Sequence, residues 1–147
     1  MPSTCYNIYM EKEKWKDIIS LTGSYQISNI GNVRGVDRTR KLKVFKNGST
    51  KEFIWGTAPV KGRIIKPFLD VRGRPRISLN KKKFFISNLV ATHFVKNKKY
   101  HSKKSVVNHI DNNPANNHYK NLEWVSQKEN IQHSIRQGRH SSITRWI

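Results

Sequence analysis

Asn108 and His109 are the strongest candidates for chemistry in this chain, and Asn130 and His133 follow them at a spacing that fits one helix face. Amide oxygens suit a hard divalent cation that also keeps water and phosphate oxygens as ligands. A neutral imidazole can accept a proton from water near neutral pH. These residue types together predict a centre for phosphodiester hydrolysis, in which a cation offsets charge on the phosphate and on the leaving 3′ oxygen.

The elements that must position these side chains follow from the local pattern. The apolar pair before Asn108 predicts a strand, a polar loop follows, and 121–125 (NLEWV) predicts a second strand. The stretch 126–129 (SQKE) matches a capping box and predicts the start of a helix, with Gly138 as its stop. A hairpin packed against this helix would bring the Asn-His pair close to Asn130.

Shorter elements are predicted upstream. Tyr25 and Ile27 alternate with polar residues as in a half-buried strand, a turn is predicted at 29–32, and Val33 begins a return strand. Further strands are predicted at 53–55, 64–69, 77–79 and 84–86, with hairpin turns at Asn47-Gly48 and 80–83, and Ser87 is predicted to cap a helix to about Val95.

The charge balance limits the class of partner. The 147 residues include 29 Lys and Arg against 9 Asp and Glu, a formal net charge of +20, which favours a polyanion and above all nucleic acid. No long amphipathic or membrane-spanning segment is present in the sequence. The single cysteine, Cys5, excludes an internal disulfide and a Cys-rich zinc site, and the stretch 1–15 has no apolar run of signal-peptide length. These features predict an intracellular, cytoplasmic protein.

Two segments carry a resemblance to a known family. Residues 106–134 (VVNHIDNNPANNHYKNLEWVSQKENIQHS) resemble the HNH nuclease motif of phage and intron homing endonucleases. Residues 13–35 (EKWKDIISLTGSYQISNIGNVRG) resemble the NUMOD4 motif that precedes HNH in that group, and 63–79 with 89–94 also follow its pattern. The resemblance covers roughly residues 13–138, and the two motifs stand in the expected order.

The resemblance implies a role for each matching residue. His109 would be the general base, and Asn108 and Asn130 would hold a divalent metal, Mg²⁺ or Mn²⁺. Asn121 would be the structural Asn of the motif, holding the loop through hydrogen bonds to backbone. The position of Asn108 is an Asp in some members of the family, and a neutral amide should hold the metal less tightly.

Two further residues have open roles. His133 could bind metal or phosphate, or lie on the helix surface without a function. Asp111 could bind metal or orient His109, but in an Asp-Asn-Asn-Pro stretch an Asx turn is the more ordinary role.

The implied fold is α+β, a small N-terminal β-hairpin region followed by a ββα-metal (His-Me finger) HNH nuclease module. Residues 1–12 are predicted as a flexible N-terminus, 13–78 as a NUMOD4-like DNA-contacting region, 79–138 as the HNH module and 139–147 as a C-terminal tail. Seven arginines are candidates for DNA contact: Arg34, Arg38, Arg40, Arg63, Arg72, Arg74 and Arg76.

The predicted function is a metal-dependent DNA endonuclease that nicks DNA or cuts both strands, with the phage homing type as the expected group and the host cytoplasm as the expected location. Its partner would be double-stranded DNA, with no membrane and no obligate protein partner. One alternative is a DNA-binding protein with a decayed HNH centre, which the missing carboxylate at Asn108 favours. Another is a ribosomal-type RNA-binding protein, which the charge permits but which gives no reason for the His and Asn spacing.

Overall fold

The computed structural model describes residues 11–45, 52–96 and 105–138, and the side chains of 44–45 and 52–55 are not among the described atoms. The chain forms two compact units. The first contains the residues up to Ser28 together with Asn32–Lys66, and the second contains Asn29–Gly31 together with the residues from Pro67 onward. The boundaries proposed from the sequence, 13–78 and 79–138, stay predictions.

The first unit is built from strands. In chain order these are β1 (Trp15–Asp17), β2 (Tyr25–Ser28), β3 (Val33–Gly35), β4 (Arg38–Phe45), β5 (Glu52–Val60) and β6 (Ile64–Ile65), with a 3-10 turn at Ile19–Leu21. Four of them form an antiparallel sheet in the order β1-β2-β3-β6, and β4 pairs with β5 in a separate hairpin. The predicted Asn47-Gly48 turn lies outside the described residues.

The core of this unit follows the predicted alternation. Ile27 and Val33 point inward from neighbouring strands, and both are buried together with Ile18. At Gly62 a Cβ atom would collide with the Gly35 carbonyl oxygen, so only glycine permits this approach of two backbone segments.

One predicted strand in this region is wrong in extent. The stretch 64–69 is two short strands rather than one, because Lys66-Pro67 separates them and proline has no N–H to donate to a ladder. The predicted strand at 53–55 is longer in the structure and becomes β5.

The second unit mixes strands and helices. Its elements are β7 (Phe68–Leu69), β8 (Pro75–Leu79), β9 (Lys82–Phe85), α1 (Ile86–Phe94), β10 (Ser105–His109), β11 (Leu122–Ser126) and α2 (Gln127–Arg136), with a 3-10 turn at Tyr119–Asn121. Strands β7, β8 and β9 form an antiparallel sheet, and β10 pairs with β11. Both helices contact the β10–β11 hairpin. The α+β class predicted from the sequence is confirmed.

The entry into α1 differs from the prediction. Asn80 and Lys81 have φ angles of 49° and 67°, so the β8–β9 turn needs two residues and not the four predicted. The chain passes directly from β9 into α1, which places Phe85 at the N-cap with no side-chain cap. Ser87 lies inside the helix, and its predicted capping role is wrong.

The start and end of α2 match the prediction. Ser126 Oγ accepts from the Glu129 backbone N–H at 3.2 Å, and Glu129 Oε2 accepts from the Ser126 N–H at 3.0 Å, which completes the capping box. Gly138 has φ of 68° and donates its N–H to the Ile135 carbonyl at 2.9 Å.

Buried apolar side chains from β8, α1 and β11 form the core of the second unit: Ile77, Leu79, Ile86, Leu89, Val90, Ala91 and Leu122. None of the helices in the described part of the chain has the length and apolar character of a membrane-spanning segment. The intracellular location inferred from the sequence stays a prediction.

Candidate active site

The β10–β11 hairpin sets the position of the Asn-His pair. Asn108 pairs across the hairpin with Glu123, and His109 pairs with Leu122. Pairing continues one step beyond the strand, because Ile110 donates its N–H to the Asn121 carbonyl at 2.8 Å. The sequence placed Asn121 in the second strand, whereas it ends the 3-10 turn before β11.

Asn121 holds the loop between the two strands. Its Oδ1 accepts from the Asp111 N–H at 3.1 Å, and its Nδ2 donates to Asp111 Oδ1 at 2.9 Å and to the Asn116 carbonyl at 2.8 Å. Asp111 Oδ1 also accepts from the Asn113 N–H at 2.8 Å, the hydrogen bond of an Asx turn, and its Oδ2 accepts from Asn116 Nδ2 at 2.8 Å. Both oxygens of the Asp111 carboxylate therefore accept hydrogen bonds within the loop.

These contacts also determine how Asp111 titrates. The hydrogen bonds from the Asn116 side chain, the Asn113 backbone and the Asn121 side chain lower the pKa of the Asp111 carboxyl, since all of them favour the ionised form.

His109 is oriented by a buried amide. Its Nε2 lies 2.8 Å from Asn117 Oδ1, and Asn117 is only 6% exposed. Because an amide oxygen can only accept, Nε2 carries the hydrogen and Nδ1 is left with its lone pair. This tautomer is the one in which Nδ1 can take a proton from water.

The backbone segment Asn29–Gly31 packs against Asn117. Gly31 has φ of 98°, and a Cβ atom there would lie 3.1 Å from Asn117 Cβ and 3.3 Å from Ile86 Cγ2. The Asn29 carbonyl accepts from the Tyr119 N–H at 2.9 Å. A residue larger than glycine would be strained at this φ and would press on the amide that orients His109.

Asn108 and Asn130 offer amide oxygens at the same place. Asn108 is 8% exposed, and its Nδ2 donates to Glu123 Oε1 at 2.8 Å. That bond uses the nitrogen end of the amide, and no described residue donates to Oδ1. The half-buried Asn130 side chain, in the first turns of α2, has no hydrogen-bond partner within the described residues.

Two clefts meet at these amides. The larger has a volume of about 720 Å³, and its lining combines His109 with residues of the β7–β8 loop, including Arg72 and Arg74. The smaller has a volume of about 340 Å³. The residues that line the smaller cleft are Asn108, Glu123, Val125, Glu129, Asn130, Gln132, His133 and Arg136. Asn108 and Asn130 line both clefts, so the predicted metal ligands and His109 come together.

The larger cleft has a cationic wall. Asp70 Oδ1 accepts from the backbone N–H groups of Arg72 and Arg74, both at 2.9 Å, and Asp70 Oδ2 pairs with the Arg74 guanidinium. These bonds, first among them that from the Arg74 N–H, lower the pKa of Asp70. Arg74 also stacks over Phe85 at 4.5 Å, beside Arg76 at 4.0 Å.

The other predicted arginines lie in the first unit. Arg34 stacks over Trp15 at 4.1 Å, and Arg38 lies over Tyr25 at 5.0 Å. Arg40 and Arg63 are exposed.

The donor set suits an oxygen-seeking cation. Among the described residues, no group of three His, Cys, Asp or Glu side chains could hold a metal ion. Zinc, which prefers nitrogen and sulfur ligands, has no such set here. Two amide oxygens fit a hard divalent cation that also keeps water molecules as ligands.

Sequence reasoning missed two residues at this site. Glu123 was detectable, because in the predicted strand 121–125 it lies between the apolar residues Leu122 and Trp124, and its side chain must face the opposite side from theirs. Asn117 was not detectable, because nothing in the sequence distinguishes it from the other asparagines of the loop.

Comparisons with known proteins agree with this arrangement. Residues 13–80 match the NUMOD4 motif, and residues 101–132 match the HNH endonuclease family. The DNA endonuclease I-HmuI of Bacillus phage SP01 is 34% identical over 129 residues, which are 85% of this chain and 59% of that protein. An uncharacterized HNH endonuclease of Acanthamoeba polyphaga mimivirus is 35% identical over 134 residues, which are 90% of this chain and 28% of the relative.

A solved structure has the same fold. This structure, described under DNA binding and cleavage by the HNH homing endonuclease I-HmuI, superposes with a TM-score of 0.64 and is 30% identical in sequence. The match covers 89% of this chain and 63% of that chain. The hairpin, its polar loop and the first turns of α2 lie in the stretch that matches the HNH endonuclease family. The chain is therefore similar to HNH endonucleases that carry a NUMOD4 motif before the HNH motif. It spans less than two thirds of the length of these relatives.

Proposed function

We propose that this chain is a metal-dependent endonuclease that hydrolyses phosphodiester bonds of double-stranded DNA. The observation that carries the proposal is that Asn108 and Asn130 line both clefts while His109 lines the larger one. This arrangement offers a base and two oxygen ligands beside a cleft that Arg72 and Arg74 also line. A general base, a cation site and cationic residues are the parts that phosphodiester hydrolysis requires.

His109 acts as the general base. Nδ1 takes a proton from a water molecule, and the resulting hydroxide attacks the scissile phosphorus. The bond from phosphorus to the 3′ oxygen breaks and this oxygen takes a proton from solvent water, which leaves a 3′-hydroxyl end and a 5′-phosphate end. The Nε2–H bond to Asn117 keeps the neutral ring in this tautomer and stabilises the imidazolium that forms when Nδ1 takes the proton.

Asn108 and Asn130 would hold the divalent ion through their amide oxygens. When bound there, Mg²⁺ or Mn²⁺ would offset negative charge on the phosphate and on the departing 3′ oxygen. His133 lines the smaller cleft, where it can contact the same region from α2. Asp111 takes no part in this, since its carboxylate is occupied by the loop.

Arg72 and Arg74 face the substrate in the larger cleft. A net charge of +20 favours DNA binding through phosphates, which makes binding strongly dependent on salt. The relative I-HmuI is named a DNA endonuclease and, in its solved structure, an HNH homing endonuclease, and this supports DNA as the substrate and homing as the biological role. One His109 in each chain predicts a nick as the first product, and a double-strand break requires a second cutting event.

A specific observation also favours the second candidate, a DNA-binding protein whose HNH centre no longer cuts. The ligand position Asn108 carries no charge, and the described residues include no acidic or histidine metal cluster. The oriented imidazole at His109 argues for the active form, because a decayed centre has no need of a fixed tautomer.

Supercoiled plasmid separates the two candidates. Purified protein with Mg²⁺ or Mn²⁺ should convert it to relaxed circles, EDTA should stop the reaction, and His109→Ala should slow it by about 10²- to 10⁴-fold. Gel-shift binding of the variant should match that of the wild-type protein. Binding without cutting in either metal would assign the decayed form, and equal cutting by His109→Ala would refute the assigned base.

A further inference from the structure

The proposed metal ligand Asn108 carries no negative charge to balance that of a divalent cation. Two neutral amides, Asn108 and Asn130, contribute dipoles but no negative charge to a site for a doubly charged cation. Asn108 Nδ2 nevertheless donates at 2.8 Å to a carboxylate, Glu123 Oε1, that stands directly across the hairpin. Both side chains line the smaller cleft together with Asn130.

We propose that Glu123 is a positioning residue for the metal site and supplies the negative charge that Asn108 lacks. This inference rests on the proposed function. The hydrogen bond occupies the nitrogen end of the amide, so that Oδ1 rather than Nδ2 is offered to the cation. The carboxylate polarises the amide and adds one negative charge next to the ligand, in the way that residues behind metal ligands orient and strengthen them.

The other nearby carboxylates are committed elsewhere. Glu129 lines the same cleft, but its Oε2 closes the capping box with the Ser126 N–H. Asp111 accepts from Asn113, Asn116 and Asn121 in the loop. Of these three carboxylates, Glu123 is the one that accepts a hydrogen bond from a predicted metal ligand.

The chemistry of the pair suggests a test by exchange. In Glu123→Gln the new amide oxygen can still accept from Asn108, so orientation is kept and only the charge is lost. Adding Asn108→Asp restores the charge on the ligand itself, and the amide introduced by Glu123→Gln can then donate to the new carboxylate. Asn108→Asp alone places two carboxylates against each other, which repel.

Mn²⁺ affinity of the purified full chain is the direct measurement, with free Mn²⁺ counted by electron paramagnetic resonance. Glu123→Gln should weaken binding by about tenfold or more. The double variant should regain most of that loss and should bind more tightly than either single variant. Glu129→Gln is the matched control, because glutamine also serves in a capping box, and it should change affinity less than Glu123→Gln. Melting curves establish that each variant is folded.

Plasmid cleavage provides a second readout. Glu123→Gln should raise the Mn²⁺ concentration needed for half-maximal cleavage, and excess Mn²⁺ should restore the rate. Equal Mn²⁺ affinity in wild type and Glu123→Gln, or a double variant no better than Glu123→Gln, would overturn the role of Glu123 while leaving the nuclease intact. Wild-type protein that neither binds Mn²⁺ nor cuts DNA would overturn both proposals.

Discussion

Two loops that line the larger cleft are each held by one aspartate, but one loop presents cationic side chains and the other presents neutral amides. In each, one aspartate accepts several N–H groups from the residues that follow it, Asp70 in the β7–β8 loop and Asp111 in the β10–β11 loop. The partners of Asp70 belong to arginines, whereas the partners of Asp111 are asparagine amides and backbone.

The difference separates two tasks. The Asp70 loop holds cationic side chains toward the cleft, where they can meet phosphate. The Asp111 loop is a frame of neutral amides, which fixes His109 through Asn117 without placing a permanent positive charge against the ring. A positive charge there would oppose protonation of His109, the proposed base.

The largest effect is expected in the amide frame. Asn117→Ala removes the acceptor for His109 Nε2–H, frees the tautomer, and should lower the single-turnover cleavage rate by about 10²-fold. Asn117→Asp keeps an acceptor and should retain most of the rate. Asn113→Ala, which alters an exposed side chain of the same loop, is the control and should have little effect. A rate in Asn117→Ala equal to that of the control would show that His109 needs no orienting partner.

A structural feature could be predicted from the sequence where it depends on interactions between residues close together in the chain. The capping box at Ser126 and the stop at Gly138 depend on residues a few positions apart, and both are confirmed. The position of the α1 N-cap depends on how β9 joins the helix, so the local pattern at Ser87 was misleading.

The same distinction applies to the candidate site. The family motif and its spacing singled out His109, Asn108 and Asn130, which the structure brings to one place. The choice of Asn117 as the partner of His109 depends on the path of the whole loop and on its packing against Gly31, far away in the chain. No local signal in the sequence carries that information.

A smaller effect is expected on the cationic wall. Arg72→Ala removes an exposed guanidinium from the larger cleft and should slow cleavage of bound DNA several-fold. The slope of log binding constant against log salt concentration should fall by about one, the value for one lost phosphate contact. Arg40→Ala, on the β4–β5 hairpin of the other unit, is the matched variant and should weaken binding without slowing cleavage of bound DNA. Identical rate losses in the two variants would mean that Arg72 serves general attraction only.

The smallest effect is expected on the thermal stability of the folded chain, to which Asp70 and Asp111 contribute differently. Because hydrogen bonds lower the pKa of Asp70 in the folded chain, its stabilising contribution is present above the ordinary Asp value of about 3.9 and is lost as pH falls through the lowered folded value. Asp70→Asn should therefore reduce Tm at neutral pH, and its difference from wild type should shrink below about pH 4.

Salt then distinguishes the two loops. The Asp70 contribution includes the Arg74 guanidinium at 2.9 Å, an ion pair that salt screens, whereas the Asp111 contribution comes from neutral donors. Added NaCl should narrow the Tm gap between wild type and Asp70→Asn more than the gap between wild type and Asp111→Asn. Equal salt dependence would mean that Asp70 acts through its backbone hydrogen bonds alone, which would make the two loops electrostatically equivalent and remove the contrast between the charged and the neutral wall.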